Sequence, residues 1–345
     1  MPQPICSAKH YFLQAFGAQP ARYDLGVSFF AIFFALLLEQ VRPLPRDSSV
    51  PQYASAWVSI CARGLDAGRG HHAWLLWCAV VIVPAGTAWA VHALLVSAGG
   101  WVGAVMVFIW HVAILYSTLG FRQFSHHFSA IRQALEDGDT SKAIQLLAAW
   151  KKIDPSQIPA SSLTRMLMEH AVIAAHRHVF AVLGWYAILA ALGLGPAGAV
   201  LYRMAELAAN SLQSGGDADV YGSQYMPFEG NASAKQPLTP LKKMVSPSAT
   251  AVAQLGWHVI DFVPARATAM AFAVIGNFEE VVDAWRRREH TNSNDALIQM
   301  AMAASLALGD EVQPDQLRSL IGLVWRAVVL WLLLIALLTL TRLLS

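Results

Sequence analysis

Residues 73–96 and 101–119 are two apolar runs without a single Asp, Glu, Lys or Arg, joined only by Ser97-Ala98-Gly99-Gly100. A helix rises ~1.5 Å per residue, so ~20 apolar residues cross a hydrocarbon layer ~30 Å thick, and both runs meet that length. So short and Gly-rich a link leaves room only for two antiparallel helices. His92 and His111 are the polar interruptions within this hairpin.

Residues 25–41, 179–201 and 320–340 are further apolar runs of spanning length, the fourth carrying Gly195-Pro196 and the last interrupted by Arg326. Composition agrees, with 56% hydrophobic residues and 13% charged in a chain of 345, against ~25% charged for an ordinary soluble domain. The expected fold is all-α, a polytopic helical membrane protein with a cytoplasmic helical-hairpin region. Residues 249–275 are less regular, because His258, Asp261 and Arg266 surround Pro264. Each charge at a bilayer centre costs about 2.5–3.5 kcal/mol on insertion scales, so a broken or interfacial helix is expected there.

Lys and Arg set the orientation. Residues 42–72 carry Arg42, Arg46, Arg63 and Arg69, residues 120–178 carry Arg122, Arg132, Lys142, Lys151, Lys152, Arg165 and Arg177, and the hairpin turn carries none. Both basic loops are expected in the cytoplasm, which places the N-terminus outside a bacterial inner membrane. Residues 1–24, with Lys9 and Arg22, precede an apolar run that no small-residue cleavage site follows, so an uncleaved anchor is expected. The chain then divides into a three-span N-terminal region (1–120), a cytoplasmic helical-hairpin region (121–178), a fourth span (179–210), a flexible external loop (211–248), a broken or interfacial helix with a further helical region (249–319) and a C-terminal span (320–345).

Phe124, Phe128, Ile131 and Leu135 form one apolar stripe at helical spacing, ended by Asp137-Gly138-Asp139. Asp139 is expected to cap a second helix bearing Ala143, Leu146, Leu147 and Trp150. Residues 211–248 are rich in Ser, Gly, Pro and Asn and show no apolar period; their Asn231-Ala232-Ser233 is too short a pattern to indicate glycosylation.

Several chemistries are excluded. A formal charge of +2 is too small for a nucleic-acid footprint. The three cysteines, Cys6, Cys61 and Cys78, form neither a disulfide framework nor a zinc pattern. No Walker loop, nucleophile elbow or His-Glu-x-x-His occurs. His92 and His111 differ in expected depth by ~6 Å, which favours interhelical hydrogen bonding over haem ligation. His71-His72 and His126-His127 are neighbours rather than an i, i+4 metal pair, and read as interfacial.

What remains is polar residues bordering apolar spans: Glu39, Glu169, His176-Arg177-His178, Tyr202-Arg203, Glu206, His258, Asp261 and Arg266. Such groups are functional candidates because their desolvation needs a partner or a ligand.

At these residues the chain resembles the CobD/CbiB cobalamin-biosynthesis proteins and their AmpE relatives. The resemblance is carried by Phe262-Val263-Pro264-Ala265-Arg266-Ala267-Thr268-Ala269, supported in order by Trp185-Tyr186, the run from Gly195 to Arg203, Gly276-Asn277, Trp285, His290, Asn294 and Ala301-Met302-Ala303. For biosynthetic members it implies an ATP- and magnesium-dependent amide synthesis joining an aminopropanol moiety to adenosylcobyric acid. The acidic positions differ: Ile173-Ala174-Ala175-His176-Arg177-His178 replaces Glu-Asn-x-Ser-Asp-Gly, Glu206 to Ala209 replaces Asn-Thr-x-Asp, and Trp257-His258 replaces Asp-Asp. Only Glu169 is kept upstream. Removing oxygen donors removes the expected magnesium ligands. The His176 to Phe180 run and Asp261 before an aromatic are similar to the AmpE branch, associated with β-lactamase induction and cell-wall recycling.

The expectation is therefore an AmpE-like, non-biosynthetic inner-membrane protein in which Glu169, His176, Arg177, His178, Tyr202, Arg203, Asp261 and Arg266 form a polar pocket for an anionic small molecule, without metal or cofactor. The alternative is an adenosylcobinamide-phosphate synthase with a rebuilt site using magnesium and ATP, with Glu169, Glu206 and Asp261 as carboxylates; a structural subunit is the third reading. The other partner is the lipid bilayer.

Overall fold

A computed structural model describes residues 20–41, 49–213, 245–287, 293–309, 312–313 and 315–344, and among these there is no strand. The helices are α1 (Pro20–Val41), α2 (Ser49–Leu65), α3 (Gly70–Ser97), α4 (Gly100–Thr118), α5 (Phe121–Glu136), α6 (Thr140–Lys151), α7 (Leu163–Ala175), α8 (Ala181–Ala191), α9 (Ala197–Ser211), α10 (Pro247–Ile275), α11 (Phe278–Arg287), α12 (Asn294–Ser305) and α13 (Gln316–Leu344). Among the described residues, five helical segments are long and apolar enough to cross a membrane: Gly70–Ser97, Gly100–Thr118, Ala160–Ala191, Pro247–Ile275 and Gln316–Thr341. The protein is an all-α, multi-pass membrane protein. Large apolar side chains such as Leu94, Trp101, Val259 and Leu333 face outward, where lipid rather than protein completes their burial.

The α3–α4 hairpin turns at Gly99 and Gly100, whose φ of 65° and 63° suits residues without a Cβ. Across it, His92 and His111 do share the expected interhelical bond, with His111 Nε2 and His92 Nδ1 3.1 Å apart. His111 Nδ1 also lies 2.8 Å from the Tyr186 hydroxyl on α8. All three groups are buried, so the imidazoles and the phenol satisfy one another's polar atoms within the helix packing.

Outside the hairpin, α5 and α6 pack together and onto α7. Phe128 and Ile131 are buried from the apolar stripe, as are Ala143 and Leu147 from its partner. Asp139 caps α6, accepting the Lys142 backbone N–H at 2.9 Å. His127 stacks on Trp150, with ring centroids 5.8 Å apart. The Phe124 side chain, Cys6, Asn231, His290 and nearly all of the 211–248 loop lie outside the described residues.

Two segments depart from the sequence expectation. The run at residues 179–201 is not one helix. Gly193 and Gly195 take positive φ before Pro196, the chain reverses, and α9 packs back along α8. The approach is closest at Gly198, where a Cβ would meet the Trp185 carbonyl. Upstream, α8 continues through a π-helical turn, His176–Phe180, into α7, so the apolar helix begins near Ala160 rather than Val179.

The second is residues 249–275, expected to break. α10 is continuous from Pro247 to Ile275 with Pro264 inside it. Proline lacks the N–H that would serve the carbonyl four residues back, here that of Ile260. The Trp185 indole N–H donates to that carbonyl at 2.9 Å, so the helix passes the proline without a buried orphan acceptor. At its start, Ser246 caps α10 by accepting the Ala249 N–H and is itself held by Asp66 from the α2–α3 connection, which accepts from the Ser246 N–H at 2.7 Å and hydroxyl at 2.6 Å.

Candidate functional site

The π-helical turn is the local cause of the site. Such a turn inserts one extra residue into a helix and re-aims the side chains around it. It presents His176 to α10, Arg177 to α12 and His178 to α9.

His176 is fully buried and sits between two residues on one face of α10, Asp261 and Thr268, seven positions apart. Its Nε2 lies 2.9 Å from Asp261 Oδ1 and its Nδ1 2.9 Å from Thr268 Oγ1. A carboxylate only accepts, so Nε2 carries a proton and donates to Asp261. The Tyr202 hydroxyl of α9 donates to the same Asp261 oxygen at 2.9 Å. Three helices therefore meet at one carboxylate that is 1% exposed.

Two arginine clusters flank this centre. Arg203 is committed on three sides: Nε donates to the Thr118 carbonyl at 2.6 Å, one terminal nitrogen to Glu206 at 2.6 Å, and the other to His178 Nδ1 at 2.7 Å. Gly120 leaves room for that pair, since a Cβ there would stand 2.8 Å from His178 Nδ1. Arg177 binds Asp295 at 2.7 Å and lies over the Trp257 ring at 5.5 Å, a cation–π arrangement. Trp257 in turn packs on Tyr202, which links the Arg177 cluster to the Asp261 centre.

Arg266 differs from the other two arginines. Its described contacts go to neutral groups, the Phe262 carbonyl at 3.0 Å and Asn294 Oδ1 at 3.4 Å, with the guanidinium over the Phe262 ring. Asn294 is anchored by donating to the His258 carbonyl at 3.1 Å.

Of the eight residues singled out by sequence, the structure joins His176, Tyr202 and Asp261 directly and places Arg177, His178, Arg203 and Arg266 around them. Glu169, part-buried on α7, joins none of these contacts. The sequence reading missed Thr268, Trp257, Asp295 and the Thr118 carbonyl. Thr268 was legible in principle, seven residues after Asp261 and so on the same helix face; Asp295 was not, since 118 residues separate it from Arg177. Charge is balanced across the site, since Glu206 and Asp295 join Asp261 against Arg177, Arg203 and Arg266.

These carboxylates do not fit a magnesium–nucleotide site. Asp261 Oδ1 is taken by His176 and Tyr202, Glu206 by Arg203 and Asp295 by Arg177, and no three metal-capable side chains converge among the described residues. What the arrangement does supply is a hydrogen-bonded centre bordered by Arg266, a half-buried guanidinium whose described hydrogen bonds go to neutral acceptors.

Fold and centre together define a polytopic α-helical membrane protein organised around buried His, Asp, Tyr and Arg side chains. Residues 30–212 match the CobD/Cbib protein family, and the chain belongs to that family. It is similar to the cobalamin biosynthesis protein CobD of Stutzerimonas stutzeri, 24% identical over 297 residues covering 77% of this chain and 82% of that protein. It is also similar to the cobalamin biosynthesis protein CobD of Chromobacterium violaceum, 25% identical over 205 residues covering 57% of this chain and 54% of that protein. No solved structure matches it.

Proposed function

We propose that this chain acts in cobalamin biosynthesis, as a membrane-bound synthase of the adenosylcobinamide-phosphate type whose site is rebuilt from basic and aromatic residues. The observation that supports this most is the similarity to the Stutzerimonas protein, which extends over 82% of that relative. This reverses the order of preference drawn from sequence, because both relatives carry the biosynthetic name. In this reading Arg266 binds an anionic group of the substrate, while His176, Asp261 and Tyr202 hold the helices that carry it. The Lys/Arg distribution supports a bacterial inner-membrane location with the N-terminus outside.

The test is complementation of a cobalamin auxotroph lacking its family member. Restored growth, lost on Arg266→Ala while the protein still accumulates in the membrane, is the expected result. No growth from a membrane-inserted wild-type chain overturns the proposal.

A second, AmpE-like reading, in which the protein binds an anionic ligand without biosynthetic turnover, is favoured by one observation: Asp261, Glu206 and Asp295 are each held by a protein donor. It predicts no complementation together with a thermal shift by anionic ligands that Arg266→Ala removes.

A further inference from the structure

Away from this centre, the C-terminal helix keeps one face buried along its length and turns the other outward. Leu317, Leu320, Leu323, Val324, Ala327, Val328 and Ile335 are buried against the rest of the protein, whereas Trp325, Val329, Leu333, Leu334, Leu337, Leu338 and Leu340 are exposed. From Trp325 to Leu340 this outward apolar face rises ~22 Å and is the lipid-facing side of α13. Arg326 is exposed and next to Trp325, six residues or ~9 Å into the apolar run that starts at Leu320, where a long cationic side chain snorkels toward the headgroups.

Beside Arg326 lies a groove of about 380 Å³ lined by Ile275 at the end of α10 and by Trp325, Arg326, Val329, Leu330 and Leu333. Positions 326, 329, 330 and 333 follow an i, i+3, i+4, i+7 pattern, so the Arg326 stem and three aliphatic side chains share one face. Arg326 has no described carboxylate within ion-pair distance.

We infer that this groove binds one anionic phospholipid, its phosphate on Arg326 and one acyl chain against Ile275, Val329, Leu330 and Leu333. A soluble anion would satisfy the charge and leave the apolar wall bare. A zwitterionic lipid brings its own cation to the phosphate, whereas a phosphatidylglycerol headgroup leaves the negative charge to Arg326. The inference stands independently of the role in cobalamin biosynthesis, since no residue of the His176–Asp261 centre lines the groove.

The experiment is native mass spectrometry of the full chain in detergent, titrated with dioleoyl-phosphatidylglycerol, dioleoyl-phosphatidylcholine or glycerol phosphate. One phosphatidylglycerol should be retained about five-fold more tightly than phosphatidylcholine, the discrimination expected of one basic residue at the membrane surface, and glycerol phosphate should not be retained. Arg326→Gln should bring phosphatidylglycerol down to the phosphatidylcholine level, and Arg326→Lys should preserve most of the difference. Val329→Trp, which fills the groove and keeps the charge, should weaken both lipids and decides the matter if Arg326→Gln does not fold. Unchanged retention in the folded variants, or glycerol phosphate binding as well as the lipid, overturns the inference.

Discussion

The indole N–H of Trp185 donates to the carbonyl of Ile260 at 2.9 Å, the acceptor that Pro264 cannot serve from within α10. One side chain on α8 thus keeps a proline-containing helix continuous and fixes its height against α8. Trp185→Phe leaves that carbonyl unpaired in an apolar setting, and should lower stability by about 1–3 kcal/mol. Pro264→Ala restores the missing donor, so thermal unfolding in detergent should show a smaller cost for Trp185→Phe in that background. Equal costs in both backgrounds would contradict this account.

Asp261 should be the least replaceable carboxylate of the protein. Asp261→Ala strands His176 and Tyr202 in the interior and should cost ~3 kcal/mol or more, as for a buried pair stripped of one partner. The double change His176→Leu with Asp261→Leu removes both polar groups, and its loss of Tm should be smaller than the sum of the two single losses.

Asp66 gives a pH dependence outside the spans. Partial burial raises its pKa, but the hydroxyl and backbone N–H of Ser246 and the N–H of Gly68 outweigh this and hold it below the usual carboxylate value. A carboxyl depressed in the folded state contributes stability above its unfolded pKa of ~3.9 and loses it as pH falls through the lower folded value. Asp66→Asn should therefore lower Tm at pH 7, and the gap to wild type should close below about pH 4. A gap independent of pH would show that the contact with the cap of α10 does not depend on charge.

Lys152 is depressed for the opposite reason, because burial disfavours its charged form. Burial pushes its ammonium down to about 8, and its backbone is left-handed with φ 57°. The folded state then disfavours the charged form, so stability should rise with pH between about 8 and ~10.4, the unfolded value. Lys152→Gly relieves the left-handed backbone, worth ~1 kcal/mol, and should raise Tm while flattening that rise. A lower Tm for this variant would show that Lys152 stabilises the α6 terminus through its side chain.

Glycine substitutions separate close packing from open helix surface. Gly198→Ala drives a Cβ into the Trp185 carbonyl, a backbone atom that cannot move aside, and should cost at least about 1–3 kcal/mol. At Gly86, inside α3 with nothing near a new Cβ, alanine should be neutral or stabilising by ~0.5–1 kcal/mol. Comparing the Tm of the two variants in one detergent checks both statements.

The sequence by itself determined the solvent of this protein and most of its helices. Apolar runs of spanning length and the Gly99-Gly100 turn are properties of neighbouring residues, and the lipid environment acts on each run separately. The cap at Asp139 is local for the same reason. The tertiary structure decided what sequence distance hides: that residues 179–201 fold back on themselves, that α10 survives Pro264 with a donor from 75 residues away, and that Arg177 is balanced by Asp295, 118 residues further on. Hydrogen bonds across helices are fixed by which faces meet and by the extra residue of the π-helical turn at His176, and neither is written in the hydropathy of any one segment.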